Sequence, residues 1–216
     1  TARVIGVSMK VSVKTNIKEV KKDLSRDQKK QIPFATAMAI NATLGIGRGN
    51  TGKKLDKVLG QQMKAKLDRP RPQTTKAFYR QGATKSKLTG VLGFVDWAAQ
   101  FMHFQIEGGQ RSPSGISGKI GVPIKGNANL NAFGNIPGLK NSGYVKGKKQ
   151  EILTLGKTTG VWEKHKGKVE KLMVVFKNSV NYKPKFPFYK IANGYIDNNF
   201  NKNLIKELNK ALRSPK

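Results

Sequence analysis

The residues of this chain whose types and spacing can carry chemistry are two histidines, twelve acids and one glycine-rich basic turn. His103 and Glu107 stand four apart in AAQFMHFQIEGG. That spacing sets an imidazole beside an orienting carboxylate, or two metal ligands, on one helix face. No second histidine is near, since the only other is His165 in WEKHKGK. His103 therefore reads as a boundary residue beside a core strand, and His165 as part of a solvated turn. A nuclease needs two or three clustered acids to hold magnesium near a lysine. Here the acids are scattered singly, and Asp96 with Glu107 is the nearest pair flanked by apolar segments. GRGNTGKK, residues 47–54, fits GxxxxGK, and its first six residues fit GxGxxG. A phosphate-cradling loop follows a buried strand and places Ser or Thr after its Lys to hold magnesium. In this chain an alanine-rich helical pattern precedes the turn and Lys54 fills the Ser/Thr position, so a flexible basic turn is the better reading. The absence of cysteine excludes disulfide frameworks, thiolate zinc sites and thiol catalysis. The expectation is a protein that is not an enzyme, with no catalytic residues, no cofactor and no metal.

What the chain has in abundance is positive charge: 42 Lys+Arg against 12 Asp+Glu, a formal net charge of +30 over 216 residues. A charge of this size speaks to partners rather than to fold, and self-repulsion in any assembly must be offset by an anionic partner or by salt. Only eight of the cations are arginine. Lysine is a hydrated point charge without the planar fork that reads guanine, so contact with DNA would be through the phosphate backbone. The densest basic runs nominate Arg48, Lys53, Lys54, Arg69, Arg71, Lys146, Lys148 and Lys149 as contacts to DNA or to acidic neighbours. The chain opens TARVIGVSMK without an apolar signal core, and its uncharged run at 32–47 is too short to span a bilayer. Synthesis in a cytoplasm and no membrane partner are expected.

The elements that must position these residues follow from periodicity. VIGVSMKVSV, 4–13, alternates as a strand. Asn16 can cap a helix carrying Ile17, Val20 and Leu24. IPFATAMAINATLGIG, 32–47, is apolar nearly all round, with Pro33 suited to a first turn, and predicts a central core helix. KKLDKVLGQQMKAKL predicts a second helix on Leu55, Val58, Leu59 and Met63, and DRPRPQT a stiff connector. KAFYR and KLTGVLGFVDW read as strands, and AAQFMHFQIEGG as a helix turn or another strand. Ten glycines between 108 and 147 predict an extended arm or insertion. Ile116, Ile120, Val122, Leu130, Phe133, Ile136 and Leu139 punctuate it as residues that order against a neighbouring subunit. Residues 151–179 predict three antiparallel strands. Phe188, Ala192, Ile196, Phe200, Leu204, Leu208 and Leu212, every fourth residue, predict a long C-terminal amphipathic helix. The fold class expected is α+β, with an antiparallel sheet flanked by the two helices in a single domain over 1–216.

IPFATAMAINAT resembles the proline-led, alanine-rich helix near the start of the minor tail protein Z family of tailed bacteriophages. KPKFPFYKIANGYIDNNFNKNLIKELNKAL is similar to that family's ending, a proline-bearing strand exit followed by one long basic and apolar helix. LTGVLGFVD, AQFMHFQIEGG and FPFY follow the element order of the wider tail-completion group of head–tail neck proteins. The resemblance implies a structural virion protein at the head-proximal end of the tail or neck. It would assemble as a ring, typically six-fold, with tail, neck or connector proteins, around the channel through which genomic DNA passes. No catalytic residues come with the family. The alternatives are a non-specific nucleic-acid-binding protein and, further off, a phage nuclease.

Overall fold

The computed structural model describes residues 9–12, 26–47, 51–113, 118–134 and 150–213. Every strand pairing among them is antiparallel, and helices accompany three separate sheets without alternating strand by strand, so the chain is α+β. The helix read from Asn16, Ile17, Val20 and Leu24 lies outside the described residues. The chain forms two compact units.

The first unit draws on residues up to 67, then 72–106, then 185 onward. It contains β1 (Met9–Ser12), α1 (Arg26–Leu44), α2 (Thr51–Lys66), β2 (Phe78–Gln81), β3 (Thr89–Phe94) and α3 (Asp96–Ile106). Its last element is α4 (Phe188–Arg213). The strands order β1-β3-β2, with Val11 opposite Gly90 and Phe78 opposite Phe94. One core joins Ile40 and Leu44 of α1, Leu55, Leu59 and Met63 of α2, Leu92 and Phe94 of β3, Met102 of α3, and Phe186, Phe188 and Ala192. Phe94 anchors an aromatic chain, its ring centroid 5.3 Å from Phe78 and 5.2 Å from Phe188.

Close approach of α1 to the sheet depends on Gly90. A Cβ there would meet Ile40 Cγ2 at 2.8 Å and would overlap the Leu44 side chain. Buried polar groups on α1 are satisfied locally. Thr36 and Thr43 donate to the carbonyls of Ile32 and Ala39, each at 2.8 Å, and Asn203 of α4 donates to Thr43 Oγ1 at 2.9 Å. Asn41 holds the chain beyond β2, accepting from Ala83 N–H at 2.7 Å and donating to its carbonyl at 3.0 Å.

Two sequence expectations change in this unit. Pro33 is not in the first turn of its helix, because α1 begins at Arg26 in a polar stretch that carries no apolar signal. Nor is α1 buried all round: Phe34 and Met38, one turn apart, are 47% and 39% exposed, and the Lys85 ammonium sits 6.0 Å over the Phe34 ring. The segment 96–106, open between helix and strand in the sequence, is a helix.

The second unit comprises residues 68–71 and 107–184. It holds β4 (Gly109–Arg111), β5 (Ile120–Pro123), β6 (Gln150–Leu155), β7 (Thr158–His165), β8 (Lys168–Lys177) and β9 (Val180–Tyr182). β4 pairs with β9, and the main sheet orders β5-β8-β7-β6. Two-residue turns join β6 to β7 and β7 to β8. Gly156 (φ 58°) supplies the left-handed residue of the first, and Lys166 (φ 48°) with Gly167 (φ 82°) the second, a type I′ turn. Register shifts beside Val161/Trp162 and Glu163/Lys164 leave Met173 and Glu170 as extra residues of β8. The first bulge turns both Met173 and Val174 toward Val161, and these three pack with Ala128 and Phe176 as this unit's core. The chain after β5 seals that face: Ile124 N–H donates to the Met173 carbonyl at 2.9 Å, and Asn127 Nδ2 to the Leu172 carbonyl at 2.9 Å.

Candidate functional site

The residues singled out for chemistry are not brought together. Asp96 opens α3 and Glu107 follows its last residue, so about 16 Å of helix separates them at about 1.5 Å per residue. His103 stands on α3 with its ring 5.1 Å from that of Phe104. His165 is exposed at the end of β7, across from Lys168. Among the described residues no group of three His, Asp or Glu side chains is placed to hold a metal ion. GRGNTGKK runs from the exposed Gly47 (φ 133°) into the first turn of α2. The element before it is the helix α1, not a strand, so no strand leads into the turn as a phosphate loop requires. No helix among the described residues is long and apolar enough to cross a membrane.

Of the basic candidates, Arg48, Lys146, Lys148 and Lys149 lie outside the described residues. Lys53 falls in the first turn of α2, and Lys54 beside it is exposed. Arg69 and Arg71 are exposed in the second unit. Arg69 takes a left-handed backbone (φ 47°) with its Nε 3.8 Å from Asp68, and the Arg71 guanidinium lies 6.0 Å over the Phe133 ring. An exposed pair such as Arg69–Asp68 contributes little stability. The cation most tied into the fold is one the sequence did not nominate. Arg80 of β2 pairs with Asp56 of α2, and its Nε is buried without a hydrogen-bond partner. Burial pushes the Arg80 guanidinium below its ordinary value. The pair ties α2 to β2.

The apolar candidates of the glycine-rich segment are more telling. Ile116, Ile136 and Leu139 lie outside the described residues. Leu130 and Phe133 are 36% and 40% exposed. Ile120 and Val122 lie in β5, and the register puts them opposite Lys177 and Val175. Partners across an antiparallel ladder share a face, and alternate residues along a strand do too. The face that Ile120 and Val122 occupy therefore also carries Leu172 and Val175 of β8, Trp162 of β7, and Leu153 and Leu155 of β6. This is the side of the sheet opposite Val161 and Val174. None of these side chains is fully buried, and Leu155 is 44% exposed, as is Val169 at 37%. Charges are few on it: Lys164 bridges Glu151 at 2.6 Å, and Lys177 stands at one edge. A half-exposed apolar sheet face with one internal ion pair has the character of an association surface.

That face requires Gly160. A Cβ there would run into the Val174 carbonyl oxygen and stand 2.7 Å from Leu172 Cδ1, so the leucine can lie across the strand only over a glycine. Trp162 is fixed by its Nε1–H, which donates to the Leu153 carbonyl at 3.2 Å. Periodicity alone did not reveal this face, because the bulge at Met173 shifts the alternation of β8 midway.

Comparison with protein-family models, with curated proteins and with solved structures finds no match to this chain.

Proposed function

We propose that this chain is a structural protein of a tailed-bacteriophage particle. In this reading it assembles as a ring at the head-proximal end of the tail or neck and acts in tail completion or head–tail joining around the DNA channel. The observation that carries the assembly reading is the open face of the second unit. In a chain of net charge +30, copies of it repel one another least where lysines are sparse, and the Ile120/Val122/Trp162/Leu153/Leu155 face is such a place. The phage assignment rests on the resemblance of residues 32–43 and 183–212. Those two segments, far apart in sequence, pack as one helical pair, with Ile40, Thr43 and Leu44 of α1 against Ile196 and Phe200 of α4. Exposed Leu130 and Phe133 extend the same reading to the glycine-rich segment as an inter-subunit arm.

Peptide mass spectrometry on gradient-purified particles of the source phage tests this. Presence at a fixed small copy number, in multiples of three or six, is the expected result. Absence from mature particles would overturn it. The second reading, electrostatic binding of nucleic acid, is favoured by the surface of α2 described next.

A further inference from the structure

The lysines of α2 are sorted by angle in a way their sequence density hides. At about 100° per residue, Lys54, Lys57, Gln61 and Lys64 fall within an arc of about 80°, centred opposite Leu55, Leu59 and Met63. Those three apolar side chains have no exposed surface, so the helix cannot roll. All four polar side chains are exposed. The single acid of the helix, Asp56, is committed to Arg80, and among the described residues no carboxylate pairs with Lys54, Lys57 or Lys64. The result is a row of uncompensated lysines on a fixed helix, about 15 Å from Lys54 to Lys64 along the axis.

We propose that this face of α2 binds the phosphate backbone of duplex nucleic acid, without reading sequence. A row of point charges suits a linear polyanion, in which charge recurs about every 1.7 Å of helix axis. Base readout would call for the forked donors of arginine or for aromatic stacking, and the stripe carries neither. Gln61 adds a neutral donor within the row for a phosphate oxygen. The inference names the partner-binding face of the protein proposed above, yet it depends on that reading only for which nucleic acid is met. Absence from particles would leave the α2 face standing, and failure of the α2 face would leave the virion reading standing.

The test is fluorescence anisotropy of the full chain on a labelled 20-base-pair duplex, titrated from 50 to 200 mM salt. It compares Lys54→Gln/Lys57→Gln/Lys64→Gln with a control of equal charge change on the exposed lysines of α4, Lys190→Gln/Lys202→Gln/Lys206→Gln. Three lost phosphate contacts should flatten the slope of log K against log salt by about 2.7, at about 0.9 per contact. We expect that change, with at least a tenfold loss of affinity at low salt, in the α2 variant and much less in the control. Lys54→Arg/Lys57→Arg/Lys64→Arg should bind as the unaltered chain does, which separates loss of charge from loss of fold. Equal weakening by the two Gln variants would mean that bulk charge alone binds DNA and would overturn the proposal. So would poly-glutamate competing as well as DNA at equal charge concentration, the result expected if the stripe serves an acidic protein.

Discussion

Leu55, Leu59 and Met63 in the first unit have no exposed surface, while Leu155 and Val169 in the second are 44% and 37% exposed. The contrast is one of cores, since the first unit also exposes Phe34, Trp97 and Ile205 on its surface. The first gathers large side chains from four helices and a sheet into one cluster. The second secures one face of its main sheet with Ala128, Val161, Met173 and Val174 and leaves the opposite, equally apolar face half open. A unit that buries more apolar surface is held more firmly, at about 25 cal/mol per Å². The difference therefore separates a unit closed round one large core from a unit with a half-exposed apolar sheet face, the face to which the proposal gives assembly. It also places charge: uncompensated lysines stand on the outer side of a helix whose inner side is locked in the larger core.

The two tryptophans, Trp97 in the first unit and Trp162 in the second, allow the contrast to be broken or sharpened. The largest effect belongs to Leu59→Ala, which leaves a cavity where the side chain is wholly buried and should cost about 3 kcal/mol. In urea titrations of a Trp162→Phe background, the Trp97 signal should show this loss. An equal shift of the Trp162 transition in a Trp97→Phe background would mean that the units unfold as one block, and the contrast would fail. Next comes Gly160→Ala, which drives a methyl into the Val174 carbonyl and displaces Leu172. It should cost about 2 kcal/mol, read by Trp162 with Trp97 unmoved. The smallest change in stability, within about 0.5 kcal/mol, is expected for Leu155→Lys with Val169→Lys on the open face. Sedimentation velocity should nonetheless show the unaltered chain associating, as the proposed assembly requires, and this variant remaining monomeric. If association persists undiminished, the open face is not where copies meet.

Much of the architecture could be read from the sequence where period and burial agree. The α4 pattern at Phe188, Ala192, Ile196 and Phe200 is buried as its spacing predicts. Beyond that the rule drifts, because a step of four residues overshoots a turn by about 40°. By Leu212 the stripe has moved well round the helix, and that residue is 53% exposed, with Ile205 at 61%. The three strands of 150–177 were equally plain. What stayed hidden is where pairing overrode propensity. β5 contains Gly121 and ends at Pro123, both poor strand residues, yet both lie in the ladder with β8, where a Cβ at Gly121 would stand a tight 3.1 Å from Val174 Cγ1. Strands of three residues, β4 and β9, carry too few positions to show a period. The lysine row of α2 was present in the spacing 54, 57, 61, 64, but grouping cations by density along the chain scattered it. Density did nominate Lys54, and it missed Lys57, Gln61 and Lys64.

The chain leaves the first unit after Ile106 and re-enters it at Lys185. Strands β6, β7 and β8 are joined by two-residue turns, so their contacts are local and can form as soon as residues near 177 have been synthesised. The first unit cannot close so early, because Thr43 must wait for Asn203 and Phe94 for Phe188. During translation the open sheet face therefore forms before the first unit can close, and α1, with its exposed apolar residues, stands without α4 until α4 is made. Premature association of the open sheet face on polysomes is a hazard this order creates, and the self-repulsion of a strongly basic nascent chain opposes it.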